Sequence, residues 1–312
     1  MSGLGENAAA EPRPATETTA HSRAQSRAQS RAERRADTAR ITHSGRPAAM
    51  MSAVPDTSAA PADPRPIVAA PTVGAGLIAC AALAAGAAGG TYALAAVLTV
   101  CGLVLACGWP ILLDLPRPPG SSAVLLVGVV GIGLVTFLAE RSGGLRWLVT
   151  ALAVSLMATF LHELLRTDGR RSLVTSIAGT VFGLAVLAVG AFHINALVQF
   201  DGAVATYAAA AGVAVGLVID FAVGRTRLGE WCLPIGMVVA GAAGTVIGLA
   251  ADVTWNVPMV TGLVACGIAH ALRRVTAPLP RSQETPAQLA IAVAGVLFVG
   301  VVPFAALWLL AR

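Results

Sequence analysis

The sequence predicts an all-α, polytopic bundle of about nine transmembrane helices preceded by a disordered N-terminal tail. Three observations predict it. Hydrophobic residues make up 56% of the chain and charged residues 12%, against roughly 45–50% and 25% in a soluble domain, so lipid is the expected solvent. From residue 67 onward, apolar runs follow one another with short polar breaks, each close to the roughly 20 residues that cross a bilayer. Before that point Ala, Ser, Thr, Pro, Glu and Arg prevail without sustained apolar periodicity, a composition that cannot offset the entropy of ordering.

Residues 1–66 form the tail and residues 67–312 the helical domain. The near-repeat from Ser22 to Glu33 sets Arg23, Arg27 and Arg31 four apart, one stripe if the segment becomes helical. The remaining face offers alanine and glutamine, with no large apolar side chain to enter lipid. Weak contact with anionic headgroups is the expectation for the tail and the arginine-bearing loops, and no specific nucleic-acid partner is expected. The chain has no lysine, and nine of its 21 arginines precede Pro66. This all-arginine usage reads as high-GC codon bias and does not signify phosphate recognition. No secretory leader precedes the first apolar run, so the first helix is expected to stay in the mature protein. Met50 and Met51 stand close to that run and offer an alternative start of translation.

The expected spans are 67–89, 93–113, 122–139, 145–165, 173–192, 203–223, 231–251, 257–271 and 287–310. Their breaks can be scored by counting arginines in short loops. The even-numbered breaks hold Arg117; Arg166, Arg170 and Arg171; Arg225 and Arg227; and Arg273, Arg274 and Arg281. The odd-numbered breaks hold only Arg141 and Arg146. Alternation with span parity predicts a multi-pass protein of the cell membrane, with the N-terminus cytoplasmic and the C-terminus outside.

Gly86/Gly90, Gly179/Gly183, Gly212/Gly216 and Gly244/Gly248 are each four apart, a spacing that permits close helix approach within the chain or in a homo- or hetero-oligomer. Pro303 lies inside the last span and predicts a kink, whereas Pro234 and Pro258 fall in first turns, where proline is tolerated. Cys80, Cys101, Cys107, Cys232 and Cys266 all sit in or beside apolar runs without ligand spacing. They read as small buried hydrophobes, so neither a disulfide framework nor a metal centre is expected.

Ionisable residues at membrane depth are the functional candidates. On the expected cytoplasmic side they are Asp114, His162, Glu163, Asp220 and His270; on the other side, Glu140, His193, Asp201 and Asp252. His162, Glu163 and Arg166 fall within one helical turn. Asp220 and His270 hold similar depths in spans six and eight. Convergence of spans four, six and eight would unite His162, Glu163, Arg166, Asp220 and His270 in a polar bowl under the inner headgroups, able to relay protons or receive a phosphate. The alternative is local pairing near the interface, Glu163 with Arg166 and Asp220 with Arg225 or Arg227.

Nucleotide-loop, zinc-protease and nucleophile-elbow patterns are absent from the sequence. Phosphatidate cytidylyltransferases share a similar layout, but their acid- and lysine-rich signature is missing. In Asp114-Leu-Pro-Arg-Pro-Pro-Gly120 and Phe160-Leu-His-Glu-Leu-Leu-Arg166 the chain resembles the uncharacterised multi-pass integral membrane proteins of high-GC bacteria. That resemblance spans residues 67–312 and implies a helical membrane domain with no particular activity. The functional expectation is a non-enzymatic membrane protein, a permease-like transporter or a scaffold, with no cofactor. The alternative is an enzyme acting on lipid headgroups at the cytoplasmic face.

Overall fold

A computed structural model describes residues 68–142, 145–166 and 172–310. The tail read as disordered, together with Arg170 and Arg171, lies outside the described residues. Every regular element among the described residues is helical. The helices are α1 (Ala70–Ala88), α2 (Thr91–Leu112), α3 (Pro118–Phe137), α4 (Leu148–Leu164), α5 (Leu173–Gly190), α6 (Phe192–Phe200), α7 (Ala203–Ala222), α8 (Cys232–Ala250), α9 (Asn256–Thr276), α10 (Thr285–Phe298) and α11 (Val301–Leu310). A single turn, Ala139–Ser142, follows α3, and a 3-10 turn, Gly229–Trp231, precedes α8.

Seven stretches are long and apolar enough to cross a membrane, counting α5 with α6 and α10 with α11 as one each. Helix α4 is apolar but has only 17 residues. Helix α9 carries His270, Arg273 and Arg274 in its last turns, which lowers its hydropathy. The boundaries differ most from the sequence expectation at three places. The fifth apolar run does not end at Phe192 but continues as α6 to Phe200. Helix α9 runs on to Thr276, so Arg273 is helical and not in a loop. The last run is two helices and not one kinked helix, with the break at Val299 and Gly300. Pro303 then falls in the first turn of α11, where its missing amide costs little.

Helix α10 is the axis of the bundle, since every residue from Ala290 to Leu297 is buried. A helix apolar all round must be enclosed, and α1, α2, α5 and α9 surround it. Trp109 of α2 is wholly buried and donates its indole N–H to the Gly179 carbonyl at 3.0 Å. Helix α4 lies at the periphery, with Val149, Met157, Phe160, Leu164 and Leu165 exposed, as lipid contact requires.

Helices α7, α8 and α9 pack as a close trio because glycines let their backbones touch. A Cβ at Gly212 would collide with the Gly262 carbonyl oxygen, and one at Gly244 with that of Pro258. A Cβ at Gly262 would lie 2.5 Å from the Ala240 carbonyl oxygen. Within lipid such contact replaces the missing hydrophobic drive. Three acids named as candidates, Asp114, Asp201 and Asp252, stand just past helix ends with φ of 48°, 50° and 57°. Aspartate tolerates this left-handed conformation better than most residues, so these acids serve chain reversal.

Candidate functional site: two buried ionic sets and a helix crossing

The connections bearing Arg117, Arg166 and Arg281 meet at one end of the bundle. The start of α3 meets the end of α4, where a Cβ at Gly120 would collide with the His162 ring. The end of α4 meets the start of α5 through Glu163 and Ser176. Arg281, between α9 and α10, reaches Asp114 after α2 at 3.5 Å and grips Glu284 through two N–H groups. Those hydrogen bonds hold the Glu284 carboxyl below the ordinary carboxylate range.

At this end α7 and α9 share a closed ionic set. His270 Nδ1 is 2.7 Å from Asp220 Oδ1. Arg273 Nε donates to Oδ2 at 2.8 Å, and Arg273 Nη2 lies 2.7 Å from the same oxygen as an ionic contact lacking hydrogen-bond alignment. Asp220 and Arg273 are each 2% exposed. Because an ionised carboxylate only accepts, His270 carries its proton on Nδ1. One acid and one guanidinium leave the set neutral when the imidazole is neutral, which is how a membrane interior tolerates such groups. Gly216 makes the room: a Cβ there would lie 2.9 Å from Arg273 Nη2 and 3.0 Å from Cys266 Sγ. A crevice of about 10 Å³ beside Arg273, with Thr72, Ser282 and Gln283 among its walls, has room for a single water.

The second set ties α4 to α5. Arg166 Nη1 donates to Glu163 Oε2 at 2.7 Å, and Ser176 Oγ donates to Oε1 at 2.5 Å. Both charged residues are buried, at 4% and 5% exposed. His162 is half-buried against α3, its Nε2 without a hydrogen-bond partner among the described residues. Four of the five candidates thus fall into two sets, and His162 stands apart. Asp220 meets His270 across helices, Glu163 meets Arg166 along one, and His162 turns toward Gly120. Arg273 and Ser176 are the partners that sequence reasoning missed. The three-residue step from His270 to Arg273 repeats that from Glu163 to Arg166 and was the available signal.

A third feature lies toward the other end, where two helices are interrupted against one another. The α5–α6 junction at Ala191 packs on the α10–α11 break: a Cβ at Gly190 would lie 2.6 Å from the Leu297 side chain, and one at Gly300 would collide with the Val189 carbonyl oxygen. His193, just past the expected end of the fifth span, is wholly buried here, with Nε2 3.3 Å from the Val296 carbonyl oxygen. Beyond it Phe304 of α11 is held between Phe192 and Phe200 of α6, at centroid distances of 5.4 and 5.7 Å.

The four buried cysteines are packing elements, as Cys266 shows by filling the space between Gly216 and Gly236. Among the described residues no group of three or more His, Cys, Asp or Glu side chains could hold a metal ion.

Seven long apolar helices and an ionic set neutralised inside the bundle define a membrane protein. No family model, curated protein or solved structure matches the chain.

Proposed function

We propose that the chain is a nine-span, multi-pass protein of the cell membrane, its arginine-rich end cytoplasmic and its C-terminus outside, that works as a non-enzymatic, permease-like protein. The observation that carries the reading is the crossing of the α5–α6 junction, where the helix tightens to an Ile194-to-Ala191 bond, against the α10–α11 break at Gly300. Irregular backbone at membrane depth is tolerated where protein buries it or where it lines a pathway, and paired discontinuous helices are how many transporters form a solute site. The acids support the same reading. Both oxygens of Asp220 and both of Glu163 are already engaged, which disfavours either as a general base on a lipid headgroup.

The test is solvent access to the crossing. In a variant with the five native cysteines replaced by alanine, single cysteines at Ala191, Val299 and, as a buried control, Leu184 are treated with a membrane-impermeant thiol reagent from each side. A permease requires the first two to react faster than the control. Reaction no faster than at Leu184 from either side would overturn the reading in favour of a scaffold.

A further inference from the structure

His193 occupies a position that the break itself creates. In an uninterrupted helix the Gly300 amide would donate to the Val296 carbonyl, four residues back. It donates instead to Leu297 at 3.0 Å, and the freed Val296 carbonyl faces His193 Nε2. A carbonyl only accepts, so Nε2 carries the proton, and Nδ1 of the neutral ring is a bare lone pair. That atom is buried with no hydrogen-bond partner among the described residues, an uncompensated cost that burial normally forbids.

Two features of the crossing suit a positive charge arriving at it. The last carbonyls of α5, those of Val189 and Gly190, lie close to Gly300 across the crossing and bring the negative ends of their dipoles to it. A cavity of about 20 Å³ touches both crossing helices at Ala191 and Leu297, with Thr99 and Thr136 among its other walls. It has room for about one water, and two threonine oxygens could anchor it. The titratable groups on elements packed against α6 are Tyr92, Cys101 and Cys107 of α2, Tyr207 and Asp220 of α7, and Glu140 and Arg141 in the turn after α3. Asp220 is already engaged by His270 and Arg273.

We propose that His193 Nδ1 is the proton-binding site of the crossing, taking a proton from hydronium. The step is balanced: an O–H bond of hydronium breaks, an Nδ1–H bond forms, water is released and the ring becomes imidazolium. The added charge loosens the contact between the two breaks. As a coupling site it rests on the permease reading; as a protonation site it stands on its own geometry.

Nitrogen NMR of ring-labelled histidine in the full-length protein in lipid bilayers tests it, with His193 assigned by its loss in His193→Gln, or in His193→Asn if the glutamine variant does not accumulate. The expected result is an imidazole protonated on Nε2 and bare on Nδ1 at high pH that gains the Nδ1 proton on acidification. The labelling rate of a cysteine at Val299, corrected for thiolate content, should change about tenfold over the same range and become flat in His193→Gln. A ring that keeps its bare Nδ1 at every pH where the protein stays folded, or that carries the opposite tautomer, overturns the proposal. Cysteine labelling without His193 titration would leave the permease reading standing and this site refuted. Titration with no labelling would do the reverse.

Discussion

Asp220 and His270, 50 residues apart in the chain, meet at 2.7 Å inside the bundle, and Arg273 closes the carboxylate's other oxygen. A buried acid bound by two basic groups of one neighbouring helix fixes the rotation of α7 against α9. Register setting is the best-attested role of buried polar groups.

That closure makes Asp220 structural as well as chemical. Asp220→Asn removes the only acid in the set and leaves Arg273 buried without its counter-charge, so it should destabilise the protein by about 3–5 kcal/mol. Replacing both partners, Asp220→Leu with Arg273→Met, should recover most of that loss, because an apolar pair of similar volume leaves no charge stranded. Unfolding in detergent measures both. An Asp220→Asn variant as stable as the parent would show that water reaches the set and screens it.

Ser176→Ala removes the hydroxyl that joins α5 to Glu163. Hydrogen bonds between helices in membranes contribute about 0.6–2 kcal/mol, so a loss in that range is expected in the same unfolding assay. A larger loss would mean that Glu163 cannot satisfy its freed oxygen elsewhere.

Glycine substitutions should separate close contacts from composition. Gly212→Ala drives a methyl into the Gly262 carbonyl and should cost about 1–3 kcal/mol through displaced backbone. Gly74 has nothing within 4 Å of a Cβ, so Gly74→Ala should be neutral or gain up to about 1 kcal/mol from helix propensity. Equal effects at both sites would refute the packed trio of α7, α8 and α9.

Topology follows from arginine parity. Reporter fusions or cysteine labelling should place Gly169 in the cytoplasm and Asp201 outside, and finding both on one side would remove the nine-span arrangement. A chain starting at Met51 should reach the membrane in similar amount, because residues 1–50 contain no apolar segment.

Much of the fold was legible because hydropathy is a sum over a window and survives local detail. The starts of α5, α7 and α9 and the close packing at Gly212 and Gly244 could all be read from runs and spacings. The two helix breaks could not. The polar His193 and Asn195 after Ala191 read as the end of a span and not as a junction inside a longer helix, and Pro303 pointed to the right helix but to a bend and not to a break at Gly300. His193 was misread for the same reason: once the fifth run is ended at Phe192, the next residue looks like loop.

By itself, the sequence determined that this chain forms long apolar helices suited to lipid and roughly where they run, because transfer free energy depends on composition along one segment. Only the tertiary structure decided which polar residues meet. His162 and Asp220 lie at similar depths by sequence, yet one turns to Gly120 and the other to His270 and Arg273. That choice is set by helix rotation. Rotation in turn follows from which carbonyls the glycines of neighbouring helices allow to touch, a relation between segments that no single segment encodes.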